Sequence, residues 1–277
     1  MKNNAFVYSE NEFGKIDGKV ANGLARHSEK YKILGIIDSK KAGHDAGEYL
    51  DGIINGIPVF KNLEHAIEVI GMVPEYFIYG IAPLASYLDK GEREILFAAM
   101  KRGMNIVNGL PEFFTEDEEF IQKAKVYGVR IYDIRKAPPR KDLHIFQGLI
   151  QNIKTPVITV FGTDCAVGKR TTAVNLVNAL NQKGLNAVFI ATGQTGILQG
   201  AKYGIALDVL SSGFSTGEIE NAVVNAVINE NPDIIVVEGQ GALSHPAFTS
   251  SSAILRGAKP DAVILQHPPR RVNHCDY

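Results

Sequence analysis

The chain has 277 residues, 45% hydrophobic and 21% charged, with a net charge of −1. This is an ordinary globular composition, long enough for two domains, and the near-neutral charge gives no electrostatic case for a nucleic-acid partner or an anionic membrane surface. No apolar run approaches the roughly 20 residues of a membrane span, and the N-terminus "MKNNAFVYSENEFG" lacks the apolar core of a signal peptide.

Short β-rich runs alternate with amphipathic stretches along the first half. "NAFVYS" (4–9) precedes a helical pattern through Val20 and Leu24, and "YKILGIID" (31–38) follows. "IPVF" (57–60) precedes a helix around Leu63, Ala66, Ile67 and Ile70; "EYFIYGI" (75–81) precedes a helix across 91–102. "MNIVNG" (104–109) precedes a helix around 116–126, and "VRIYDI" (129–134) closes the set. Such alternation implies parallel strands joined by crossover helices. The first strand-to-helix turn, "ENEFGKIDGKVANG" (10–23), has no G-x-G-x-x-G. NAD is therefore not expected, although Asp38 ends the second strand where a dinucleotide fold places its ribose-binding acid.

"RKAPPRKD" (135–142) breaks the rhythm, since proline disfavours helix in the residue before it. The alternation then restarts with "VITVF" (157–161), "NAVFIA" (186–191), "IALDVL" (205–210), "DIIVVE" (233–238) and "DAVILQ" (261–266). Two α/β domains are expected, over 1–140 and 150–277. "QHPPRRVNHCDY" (266–277) follows the last strand with no covering helix. That predicts a second domain cut short, an apolar face left bare and a tendency to self-associate, and it leaves a homo-oligomer open. Arg270 and Arg271, just past a strand end, are placed to reach ligand phosphates.

"GTDCAVGKRTT" (162–172) runs from strand through a glycine turn into a helix. Turn amides and a helix N-terminus form an anion site, to which Lys169 adds a mobile charge. Gly162, Thr163, Asp164, Gly168, Lys169, Arg170, Thr171 and Thr172 are the candidate phosphate-binding residues. The spacing Gly162-x₅-Gly168-Lys169 is one residue longer than the usual phosphate loop. Arg170 occupies the slot where such loops place the hydroxyl that holds Mg²⁺. Either it points to solvent, or it adds a fixed charge suited to a phosphate that carries no metal.

"ATGQTG" (191–196) puts Thr192, Gln194 and Thr195 at a strand's carboxyl end, where open α/β sheets bind ligands. "DIIVVEGQGALSHPAF" (233–248) ends a strand in Glu238, followed by Gly239, Gln240 and Gly241. Glu238 is a candidate base. His245 is equally readable as a second base or as a hydrogen-bonded structural histidine. The two cysteines, Cys165 and Cys275, make no disulfide framework or zinc spacing, and the remaining histidines show no ligand spacing, so no metal site is expected.

"GTDCAVGK", "ATGQTG" and "VVEGQGALSHPA", in this order, resemble the D-glutamate N-acetyltransferase-like family. The similarity extends to "ILGIIDS", "GIPVFKNLEHAI" and "GLPEFF", so it covers nearly the whole chain. It implies a Rossmann-like domain followed by a P-loop NTPase-like α/β domain, with family members running some tens of residues beyond Tyr277. The implied reaction moves an acetyl group from acetyl-CoA, as co-substrate, to the amine of D-glutamate in the cytoplasm. Glu238 or His245 would act as base, Thr192, Gln194, Thr195 and Gln240 would hold the amino acid, and backbone amides around Gly239–Gly241 would hold the oxyanion. "GTD…VGK" and "VEGQGAL" are also similar to dethiobiotin synthetase, which implies ATP with Mg²⁺ and a ligase or kinase as the alternative. "GIPVFKNLEHAI" with "AAMKRGMNIVNGLPE" is similar to the CoA-binding domain of acyl-CoA synthetases. A non-catalytic nucleotide-binding protein is the third reading.

Overall fold

The computed structural model describes residues 2–83, 87–245 and 248–275; Met1, Pro246, Ala247, Asp276 and Tyr277, which fall in the stretches quoted above, lie outside them. The chain divides into two compact units: Met1–Lys136 with Leu198–Gly200, and Ala137–Ile197 with Ala201–Tyr277.

The first unit alternates strand and helix. β1 (Asn3–Tyr8), α1 (Lys19–Arg26), β2 (Tyr31–Ile37), α2 (Ala46–Asp51), β3 (Val59–Phe60) and α3 (Leu63–Ile70) form its first half. β4 (Tyr76–Tyr79), α4 (Lys90–Lys101), β5 (Asn105–Asn108), α5 (Glu118–Tyr127) and β6 (Ile131–Asp133) form its second. The helices start where polar side chains satisfy free amides. Asn62 accepts from the His65 amide, Asp117 from those of Glu119 and Phe120, and Asp89 makes a reciprocal capping box with Glu92. α2, α3 and α5 stop at Gly52, Gly71 and Gly128, each left-handed.

All strand pairs of this unit are parallel, in the order β3-β2-β1-β4-β5-β6. This is the doubly wound arrangement of a Rossmann-like domain. Both sheet faces are buried, as parallel sheets require. Phe6, Phe77, Tyr79, Leu96, Met100 and Phe120 pack on one face, and Val7, Val20, Leu24, Ile36, Ile78 and Val107 on the other. Asp38 is buried just beyond β2, where its carboxylate accepts the Phe13 and Lys40 amides.

The second unit contains β7 (Val157–Gly162), α6 (Lys169–Gln182), β8 (Ala187–Ala191), α7 (Gln194–Gln199, whose last two residues count with the first unit), β9 (Tyr203–Gly204), α8 (Ser212–Glu230), β10 (Ile234–Glu238), α9 (Ser250–Ala258) and β11 (Ala262–Gln266). Its strands are also parallel, in the order β11-β7-β10-β8-β9. The expected strand over 205–210 is a correction: β9 is confined to Tyr203–Gly204, and Leu207–Val209 form a 3₁₀ turn. Leu207 reaches the core from that turn, so the apolar run reported burial and not extension. α8, which the sequence reading leaves unassigned, is anchored by buried carboxylates. Glu218 accepts the His144 amide, and Glu220 those of Gln147 and Ile150. On the edge strand β11, Val263 and Leu265 stand 50% and 61% exposed. No helix among the described residues is long and apolar enough to cross a membrane.

Candidate functional site

β7 leads into the loop 163–168 and α6 begins at Lys169, so the loop crosses the carboxyl end of the sheet. Two glycines there have different duties. A Cβ on Gly162 would stand 2.6 Å from Val167 and 3.0 Å from the Lys169 stem, so glycine lets the lysine fold back. A Cβ on Gly168 would meet nothing within 4 Å, but its φ of +93° is left-handed. Ala166 is also left-handed, at φ +49°, the kind of backbone strain that gathers at binding loops.

Lys169 is buried and its Nζ donates to the Asp164 carbonyl at 2.7 Å. Burial pushes its pKa down, against the opposing pull of the Cys165, Glu238 and Asp164 charges. The Asp164 carboxylate faces the other way. Oδ1 accepts the Cys165 amide at 2.7 Å, and Oδ2 accepts Arg271 Nη1 and the Cys275 amide, each at 2.8 Å. Burial alone would raise its pKa; Arg271 and the two amides outweigh that and hold it well below the usual carboxylate range. Arg271 also donates to the Cys165 carbonyl at 2.7 Å. It therefore braces the loop through the Asp164 carboxylate and the Cys165 carbonyl; Arg270 is exposed.

Thr163 is fixed by its amide to the Gln266 carbonyl and by its hydroxyl to His267 Nδ1 at 3.0 Å. The Thr172 hydroxyl accepts from Gln266 Nε2, and Thr171 sits half-buried beside it. Arg170 is half-buried, not turned out to solvent, and its charge acts on Glu238.

Glu238 ends β10 and is buried. Burial pushes its pKa up; Arg170, the amides of Thr192 and Gly193, and Lys169 pull the other way. Thr192 is clamped to it twice, its amide donating to Oε2 at 3.0 Å and its hydroxyl to the Glu238 carbonyl at 3.1 Å. These bonds join the ends of β8 and β10. Gln194 and Thr195 follow, buried, in the first turn of α7. The Gly239 amide donates to the Val160 carbonyl at 3.0 Å, which removes it from the expected oxyanion donors. Gln240 turns its amide nitrogen toward Gly193, and its buried Oε1 has no hydrogen-bond partner among the described residues. Its backbone carbonyl accepts Ser251 Oγ at 2.6 Å.

The structure thus brings Lys169, Arg170, Glu238 and Thr192 into one electrostatic group, with Gln240 bordering Gly193. His245 packs against Asp164, whose carbonyl accepts Lys169, and against Phe248 and His274. The residues that sequence reasoning missed are Gln266, which ends β11, and His274 and Cys275 in the segment beyond it, all of which bond or face the loop. Partners separated by about a hundred positions leave no spacing signal.

Residues 144–277 match the P-loop domain, and residues 39–137 the Rossmann-like domain, of a family described as a domain of unknown function, DUF1611. Two curated relatives are named D-glutamate N-acetyltransferase. The one from Pseudoalteromonas sp. is 33% identical over 223 residues, 79% of this chain and 65% of the relative. The one from Tritonibacter scottomollicae is 29% identical over 197 residues, 71% and 57%. In both comparisons the matched stretch is less than two thirds of the relative's length. The crystal structure of a DUF1611 family protein from Anabaena variabilis superposes with a TM-score of 0.90 at 29% identity, covering 100% of this chain and 77% of that one.

Proposed function

Because the chain belongs to the DUF1611 family, a Rossmann-like domain followed by a P-loop domain, we propose that it is an N-acetyltransferase that moves acetyl from acetyl-CoA to the amine of D-glutamate. The names of its relatives support the substrate. The observation that carries the reading at the site is the composition of the loop. An anion cradle is present, with Lys169 at a helix N-terminus, but the slot for a magnesium-holding hydroxyl is filled by Arg170, and the Thr172 hydroxyl is engaged by Gln266. Coenzyme A presents a pyrophosphate and a further phosphate and needs no bound magnesium, so this cradle suits it.

In the proposed reaction Glu238 or His245 takes a proton from the substrate ammonium. The free amine adds to the thioester carbonyl, and as the tetrahedral adduct collapses its nitrogen gives up its surplus proton while the C–S bond breaks to release the CoA thiolate, which takes up a proton in exchange. A carboxyl whose pKa burial has raised is a better proton acceptor than an exposed one. The Gln240 Oε1, buried and with no donor among the described residues, suits an N–H of the substrate. Thr192, Gln194 and Thr195 line the same strand ends.

Thiol release from acetyl-CoA tests the proposal, with D-glutamate against L-glutamate, with and without EDTA. Release that depends on D-glutamate and survives the chelator is expected. A strict magnesium requirement with ATP turnover would replace this reading with the ligase or kinase. Binding of nucleotide with no turnover of either donor would favour a non-catalytic nucleotide-binding protein.

A further inference from the structure

Three side chains far apart in sequence converge on the outer side of the loop. Asp164 Oδ1 lies 3.9 Å from His245 Nε2 and 3.5 Å from His274 Nδ1. All three ligand atoms lie within 4.8 Å of one another. Asp164 and His245 are buried, and the His274 side chain is 42% exposed, so the cluster opens to solvent on one side.

An imidazole donating to a carboxylate would bring nitrogen and oxygen to about 2.7–3.2 Å. Both separations exceed that range. Ligands about 2.0 Å from a tetrahedral ion stand about 3.3 Å apart, so an ion between them would draw the rings in by a few tenths of an ångström. The Cys275 carbonyl oxygen lies 3.2 Å from the same His245 Nε2, a hydrogen bond that an ion held by Nε2 would replace while keeping the carbonyl at an edge of that length. The carboxylate is also prepared as a one-oxygen ligand. Oδ2 is held by Arg271 and the Cys275 amide, while Oδ1, steadied by the Cys165 amide, faces the two rings. Outer hydrogen bonds of this kind orient metal-bound carboxylates.

We propose that Asp164, His245 and His274 bind one divalent transition-metal ion of the zinc class, with the Cys275 carbonyl as a fourth ligand. Two imidazoles select such an ion over Mg²⁺ or Ca²⁺, which take oxygen donors. Binding through Nε2 requires the His245 proton to sit on Nδ1. The bound ion ties the segment around residues 271–275 to the phosphate loop. It also occupies the lone pair that makes His245 a base, so the site is inhibitory if His245 serves the acetyl transfer and silent if Glu238 does. The site itself rests on neither reading.

The test is metal binding by the whole chain without substrate. Protein stripped with a chelator is titrated with Co²⁺, then Zn²⁺. One equivalent of Co²⁺ should develop a visible absorption stronger than that of the aqueous ion, and Zn²⁺, not Mg²⁺, should abolish it. His274→Ala, at a half-exposed position where loss of folding is not expected, should weaken binding at least about tenfold, the scale on which disturbing even an outer partner of a metal ligand acts. His267→Ala, an exposed neighbour that bonds Thr163 and lies outside the cluster, should leave binding unchanged. Absence of a saturable Co²⁺ band, equal displacement by Mg²⁺, or equal affinity in His274→Ala would overturn the site. Loss of binding in both histidine variants alike would show adventitious surface binding only. Because these readouts need no acetyl donor, failure of the proposed reaction would leave them standing.

Discussion

Lys169 and Glu238 carry opposite burdens of burial, and each makes a prediction at the scale of one residue. The Lys169 ammonium donates to a carbonyl of its own loop, an interaction that a phosphate oxygen would replace. Lys169→Ala should weaken CoA binding by about 1.5–3 kcal/mol, the worth of a charged hydrogen bond. In calorimetry that reads as roughly a ten- to hundredfold rise in Kd; unchanged affinity would remove the loop from the phosphate site. The two base candidates separate in turnover. Glu238→Gln or His245→Asn, whichever is the base, should lower turnover about 10²–10⁴-fold with CoA affinity kept.

The same residues set a pH signature. The folded pKa of Glu238 is raised above its ordinary 4.5, so its contribution to stability is full below 4.5 and is lost as pH rises through the folded value. Glu238→Gln should flatten the decline of stability on that side. Asp164 is shifted the opposite way from 3.8. Its contribution is present above 3.8 and is lost as pH falls toward the folded value, so Asp164→Asn should flatten the acid limb. Chemical denaturation across pH reads both slopes.

At the scale of elements, the turn into α6 and the caps of the first unit make the clearest cases. Gly168→Ala should cost about 1–2 kcal/mol from its left-handed backbone alone, because the added methyl meets nothing. Gly162→Ala should instead disturb the Lys169 stem, so it should reduce ligand affinity more than stability. Asp89→Ala, which removes the box that opens α4, should lower the stability of the first unit by about 1 kcal/mol and leave ligand binding alone; equilibrium denaturation followed beside CoA titration distinguishes the two classes. Most strands were legible because parallel strands buried on both faces read as apolar runs between turns, as in "VITVF" and "DIIVVE". The run at 205–210 misled for the same reason, since burial does not tell a strand from a tight turn. α8 was missed because it packs Ile219 and Val223 in the core while burying Glu218 and Glu220, so charge and apolarity do not segregate to clean faces.

For the whole molecule, the expected behaviour is ligand-linked stability. A ligand that binds only the folded chain stabilises it by about 2.7 kcal/mol at a hundred times its Kd. Acetyl-CoA should raise the melting temperature in EDTA as well as without it, and a rise seen only with ATP and magnesium would speak for the ligase. The strand-end motifs of the site could be read locally, residue after residue. The brace formed by Arg271, His274 and Cys275 could not, because its partners lie over a hundred positions upstream.

That brace bears on how the chain is made. The first strand of the second sheet, β7, has β11 as a neighbour, and the loop that β7 feeds is tied to Gln266, Arg271 and Cys275. A ribosome delivers residues in order, and domains begin to fold as they emerge. The Rossmann-like unit can close most of its sheet while later codons are still being read. The loop around Asp164 must wait for residue 275, so the cradle takes shape only after β7 to β11 have all been made.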